Sequence, residues 1–173
     1  MGFFDNFVPD LKRENVFEID YGSLFARGIK FLFFDIDNTL VSHEKPEPSG
    51  EVVDLFAELK RQGFSLCLVS NNSRERVAEF NRNLGLLAVY DAGKPFTNAI
   101  RAAMAKIPAA PEESAFVGDQ IFTDILAAKR LGIFAIIVKP INPVENFFFH
   151  LKRFAEKPFL RRYEKIEQRR IKK

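Results

Sequence analysis

The chain has 173 residues, 47% hydrophobic and 28% charged with a net charge of +3, which excludes a disordered or fibrous protein and allows one domain with its own core. Cys67 is the single cysteine, so an internal disulfide is excluded and a reducing compartment fits. No apolar run reaches the ~18 to 20 residues that cross a bilayer, and MGFFDNFVPDL lacks the basic start and long apolar middle of a secretory signal; the expected location is the cytoplasm, or peripherally the inner face of the membrane.

Residues 1–29 read as an N-terminal extension. Phe3, Phe4 and Phe7 are spaced for one helix face, and DYGSLFARG (20–28) predicts a short helix with Asp20 as cap and Gly28 as stop. FLFFD (31–35) is the first expected strand, apolar enough to be buried on both faces. A helix over 49–62 follows, with Val52, Val53, Phe56 and Leu59 recurring at three and four and Gly63 as its stop. FSLCLVS (64–70) is the second strand, and Cys67 within it reads as a small core residue. A helix near 73–84 ends at Gly85, LAVYD (87–91) gives a third strand, and a helix runs from Asn98 to Lys106. SAFVGD (114–119), a helix at 122–131 and FAIIV (134–138) complete the pattern. Strands alternating with helices predict an α/β fold with a five-stranded parallel sheet covered on both sides, over a core of residues 30–140. Pro140 and Pro143 mark the junction to a tail, 141–173, in which ten Lys and Arg face four Glu.

Ligands of open α/β sheets bind beyond the carboxyl ends of the strands. Four segments deliver polar groups there: Asp35 and Asp37 after the first strand, Ser70, Asn71 and Asn72 after the second, Lys94 after the third, and Asp119 and Asp124 after the fourth. Each group alone has a plainer reading. Asp35 and Asp37 could be loop carboxylates, Ser70 and Asn71 turn residues, Lys94 surface charge, and Asp124 the first turn of a helix. Their convergence on one edge points instead to phosphoryl transfer through an aspartyl-phosphate. Asp35 and Asp119 would hold Mg²⁺, which relieves the repulsion between clustered carboxylates. Asp37 would act as general acid and base, and Ser70 and Lys94 would bind phosphate oxygens, with Asn71 beside them. Asn38 and Thr39 are read as shaping the loop. His43 and His150 have no metal-ligand spacing and are taken as structural or solvent-exposed.

DIDNTL, SLCLVSNN, the lysine of GKP and GDQIFTD resemble, in order, the four motifs of the haloacid dehalogenase (HAD) superfamily, over residues 31–138. The resemblance implies a three-layer Rossmann-like core and Asp35 as nucleophile with Asp37 as acid/base. It also implies phosphate binding by Ser70 and Lys94, and a metal held by Asp35, Asp119 and the backbone carbonyl of Asp37, with Asp124 auxiliary. An aspartate at position 37 is similar to the phosphatase branch. ARGIKFLFFDIDNTLV, VSNNS, KP and GDQIFTDI further resemble the YqeG-type subfamily of capless phosphatases, related to mitochondrial phosphatidylglycerophosphatase.

The intervals Asp37–Ser70 and Ser70–Lys94 are too short to hold a cap domain, so an open site is expected. The tail mixes aromatics with Lys and Arg, as suits an anionic membrane face. Together with the subfamily resemblance this favours a phospholipid headgroup, phosphatidylglycerophosphate, as substrate. Two other readings stay open: a phosphatase for a soluble sugar phosphate, nucleotide or phosphoprotein, and a module binding RNA or a ribosome through its tail. The tail is equally compatible with an amphipathic helix packed on its own domain.

Overall fold

A computed structural model of the chain describes residues 3–142 and 147–171. Pro143 and the side chains of Phe3 and His150 lie outside the described residues.

In chain order the regular elements are β1 (Leu11–Arg13), α1 (Tyr21–Ala26), β2 (Phe31–Phe34), α2 (Gly50–Arg61), β3 (Ser65–Val69) and α3 (Arg74–Asn81). They continue with β4 (Leu87–Val89), α4 (Asn98–Lys106), β5 (Ser114–Gly118), α5 (Leu126–Leu131), β6 (Phe134–Val138) and α6 (Phe147–Ile171). The strands form one sheet in the order β1-β6-β5-β2-β3-β4, and every pairing is parallel.

Successive side chains of a strand point to opposite faces, and the central strand β2 uses both. Leu32 and Phe34 enter one core layer with Val52, Phe56 and Leu59 of α2 and Val77 and Phe80 of α3. Phe33 enters the other, with Ile100 and Met104 of α4 and Ala127 and Leu131 of α5. Each buried Phe contributes roughly 2–3 kcal/mol of transfer free energy, so the apolar run ahead of Asp35 anchors the strand in both layers. Helix starts follow the sequence: the side chains of Asp20, Ser49 and Ser73 accept from the amides of Ser23, Val52 and Arg76. Cys67 is buried.

The sheet has six strands, not the expected five. Leu-Lys-Arg is too short and too polar to announce a strand, and neighbours create it. The Asp10 backbone amide donates to the carbonyl oxygen of Ala135 (2.8 Å), and the Asp10 carboxylate accepts from the amide of Ala135 (2.8 Å) and pairs with Lys129 (2.5 Å). On the outer side the amide of Lys12 donates to the hydroxyl of Tyr163 (3.2 Å), so α6 covers an edge that would otherwise be open.

The tail helix docks through the stripe Glu156, Phe159, Leu160 and Tyr163, a spacing of three and four that makes one helix face. Phe3–Phe7 forms a 3-10 turn instead of an α-helix. Residues three apart then lie above one another, and Phe4 and Phe7 both meet the ring of Phe159 (centroids 6.4 and 5.0 Å). No helix among the described residues is long and apolar enough to cross a membrane.

Candidate active site

The chain leaves β2 toward β3 and β4 on one side and later returns to add β5 and β6 on the other. A crevice opens where that order reverses, and Asp35 and Asp119 stand on its two walls, each one residue past its strand. The amide of Asp35 donates to the carbonyl of Val117 (2.9 Å), fixing one strand end against the other. One carboxylate oxygen each from Asp35, Asp119 and Asp124 lie within 4.8 Å of one another, and all three residues are buried.

Lys94 enters this cluster from the loop after β4. Its Nζ lies 2.5 Å from Asp35 Oδ1 and 2.8 Å from Asp124 Oδ1, and it donates to the Val69 carbonyl at 2.9 Å. Burial alone would lower its pKa, but Asp124 and Asp35 outweigh burial and hold it charged above the ordinary lysine value. Burial is also the largest influence on Asp35, pushing its carboxyl up to about 7; Lys94 opposes the rise, while Asp124 and Asp37 add to it. Two of the three buried carboxylates, Asp35 and Asp124, pair with the Lys94 ammonium, and Asp119 lies beside them. An all-oxygen set of carboxylate donors fits a hard divalent cation such as Mg²⁺.

Asp124 reaches the cluster because the backbone makes room. A Cβ on Gly118 would lie 2.4 Å from the Asp124 Cβ, so any side chain there would displace Asp124. The next turn, Ile121–Ile125, is π-helical: the amide of Ile125 donates to the carbonyl of Gln120 (3.2 Å), and the amide of Gln120 donates to Asp124 Oδ2 (3.0 Å). Single π turns of this kind recur at functional sites. The sequence reading has a plain helix at 122–131, whose pattern cannot distinguish an i→i+5 turn.

Asp37 faces another way. Its Oδ1 accepts from Arg76 Nη2 (2.9 Å) and lies 3.6 Å from His43 Nδ1, while Oδ2 accepts from Asn72 Nδ2 (3.3 Å). Asp37 is thus outside the carboxylate cluster as a side chain; the family resemblance gave it the metal through its backbone carbonyl. Arg76 also donates to the carbonyls of Lys45 and Pro46 (2.8 Å each), tying the loop after β2 to α3. The sequence marks neither Arg76 nor the cleft position of His43. Arg76 looks like any other arginine of a polar helix face, and His43 sits in a loop without periodicity.

Asp35, Asp37, Ser70, Asn71, Lys94 and Asp124 line one cleft of about 240 Å³, and Asp119 is fully buried beside it. Ser70 Oγ accepts from the Asn72 amide (3.0 Å). Asn71 exchanges two hydrogen bonds with the Lys94 backbone (2.8 and 3.1 Å) and so positions that lysine. Asn38, with φ 63°, takes the left-handed conformation that turns the chain after Asp37, and the Thr39 hydroxyl donates to Asp35 Oδ2 (3.1 Å).

Residues 43–132 match the family described as haloacid dehalogenase-like hydrolase. The chain is 33% identical to "Probable phosphatase YqeG" of Bacillus subtilis over 154 residues, covering 89% of this chain and 90% of that protein. It belongs to the haloacid dehalogenase-like hydrolases. It is an enzyme of that family, and of the YqeG type within it. It is also 32% identical over 93 residues to a phosphoglycolate phosphatase of Synechococcus elongatus, covering half of this chain and 43% of that one. The fold is shared with a HAD family enzyme of Bacteroides thetaiotaomicron solved as a magnesium complex, at a TM-score of 0.51 and 15% identity, over 70% of this chain and 98% of that one.

Proposed function

We propose that this chain is a Mg²⁺-dependent phosphomonoesterase that works through an aspartyl-phosphate on Asp35 and takes the terminal phosphate of phosphatidylglycerophosphate. The observation that carries the reading is the buried trio Asp35, Asp119 and Asp124, whose carboxylate oxygens lie within 4.8 Å of one another at the strand ends. Asp35 and Asp119, with the backbone of Asp37, would hold the cation and Asp124 would support it. A bound divalent cation lowers the repulsion between an anionic nucleophile and an anionic phosphate.

Asp35 attacks phosphorus through one carboxylate oxygen, and the bond from phosphorus to the ester oxygen breaks. Asp37 gives its proton to the departing alkoxide, then takes one from the water that attacks the acyl-phosphate. Cleavage of that second bond releases inorganic phosphate and restores Asp35 as a carboxylate and Asp37 as an acid. Lys94 and Ser70 steady the phosphoryl oxygens, and Asn71 keeps Lys94 in place. Asn72 and Arg76 orient Asp37.

The lipid substrate is supported by what lies around the cleft. No cap stands between the motifs, and Phe96, two residues past Lys94, is 72% exposed. On α6 the exposed Lys157, Arg161, Lys165 and Arg169 recur every four residues opposite the docked stripe, with Phe154 also exposed. A basic row on one helix face attracts an anionic lipid surface, at roughly 1 kcal/mol per cation.

Release of inorganic phosphate from phosphatidylglycerophosphate in anionic vesicles, with and without Mg²⁺, tests the reading beside a panel of soluble phosphomonoesters. Asp35→Asn should lower turnover about 10³-fold or more while the circular dichroism spectrum is unchanged. Full turnover in that variant or in excess EDTA would remove the mechanism. Hydrolysis of the soluble esters alone would remove the lipid.

A further inference from the structure

Beyond these motifs, one buried carboxylate belongs to none of them. Glu156, on the tail helix, is 1% exposed, and its Oε1 accepts a hydrogen bond from the amide of Ile121 at 2.9 Å. Ile121 opens the π turn between Asp119 and Asp124. The first amides of a helix have no partner within the helix. Here two consecutive ones are taken by carboxylates from different directions: Gln120 by Asp124 inside the turn, and Ile121 by Glu156 from 35 residues further along the chain.

A second contact joins the same two segments. Phe122, next to Ile121, meets Phe159 at 5.9 Å and Phe7 at 5.7 Å, and Phe7 meets Phe159 at 5.0 Å. The three rings clamp the turn against the tail and the N-terminal segment. On its inner side the turn has no slack, because Asp124 lies where any Cβ on Gly118 would go. A shift of the Ile121 amide is therefore passed to Asp119 two residues before it and to Asp124 three residues after it.

We infer that Glu156 is a positioning residue for the carboxylate cluster: the tail helix holds the Asp119–Asp124 turn in the shape that receives the cation. The inference rests on the proposed metal role of that cluster. The tail is then part of the active centre's support, and anything that lifts α6 from the core weakens cation binding in the cleft.

The test compares the full-length chain with Glu156→Ala and Glu156→Gln, reading thermal midpoint against Mg²⁺ concentration without substrate. The glutamine amide oxygen still accepts from Ile121, so Glu156→Gln should keep its half-saturating Mg²⁺ within about threefold of the parent. Glu156→Ala should raise it by about tenfold or more, the usual effect of losing a support behind metal ligands. A lower midpoint with unchanged Mg²⁺ dependence in Glu156→Ala would mean that Glu156 only stabilises the fold, and would overturn the inference. Should Glu156→Ala not fold, hydrogen exchange in the parent decides: Mg²⁺ should slow exchange in residues 154–163 together with 118–126, and no change in the tail segment overturns the inference. A parent chain that gives no response to Mg²⁺ in either measurement removes the proposed metal centre as well, whereas a responsive parent matched by Glu156→Ala removes only the role of Glu156.

Discussion

Two edges of the same sheet meet their unpaired polar groups by opposite means. At the carboxyl ends of β2 and β5, charge is buried: Asp35 and Asp124 hold one ammonium, and Asp119 lies beside them. At the outer edge of β1 a neutral hydrogen bond suffices, with the Lys12 amide on the Tyr163 hydroxyl. The ion pairs nearby, Lys12 with Glu164 and Arg162 with Asp5, are substantially exposed and contribute little. Ordinary edge protection needs no buried charge. Buried ion pairs are weak devices for stability, so its presence at the first edge agrees with the chemistry proposed for that cluster.

Lys94→Met gives the largest expected effect on folding in that comparison. The substitution keeps much of the side-chain length but leaves Asp35 and Asp124 buried without their cation. Breaking such a pair costs about 3–5 kcal/mol, to be read as a lower urea midpoint in EDTA, and phosphatase activity should fall with it. A loss below about 1 kcal/mol would mean that the cluster is held by hydrogen bonds alone, as the β1 edge is, and the contrast would fail.

Gly118→Ala probes the same edge through space rather than charge. The new methyl would meet the Asp124 side chain at 2.4 to 2.6 Å, with no freedom on the opposite side of the turn. Overpacking of this kind costs about 1–3 kcal/mol, visible in urea melts, and Mg²⁺ dependence should weaken in parallel because Asp124 is the displaced group. An alanine variant with parental stability and parental Mg²⁺ response would show that Asp124 has room to move.

The two edges also differ in how far they can be read from sequence. Asp35, Lys94 and Asp119 are legible because each follows an apolar strand, and a parallel sheet carries all its strand ends to one side. The five strands β2–β6 and the α-helical layers follow from the same alternation. Arg76 is hidden because an arginine near the start of a polar helix has no mark of its own; only the fold brings it to Asp37. The π turn is hidden because one extra residue per turn leaves the apolar pattern of 121–131 almost unchanged. β1 is hidden for a third reason. Its strand conformation comes from Asp10, β6 and Tyr163 rather than from Leu-Lys-Arg itself, so the information lies more than a hundred residues away.

Tyr163→Phe is the mildest change and tests that last point. It removes one hydroxyl and keeps the ring buried against the domain, so the hydrogen bond from the Lys12 amide is lost. The partly exposed amide can turn to water, which limits the cost to about 1 kcal/mol. Hydrogen exchange should report the loss locally, with faster exchange at Lys12 and its neighbours in β1 and no change at β2 or β5. Because the cluster of carboxylates is supported through Glu156, about two turns of α6 earlier than Tyr163, Mg²⁺ dependence should stay at the parental value. If Tyr163→Phe instead shifts Mg²⁺ dependence as much as Gly118→Ala does, the two edges are one cooperative unit, and the division between a charged working edge and a neutral covered one disappears.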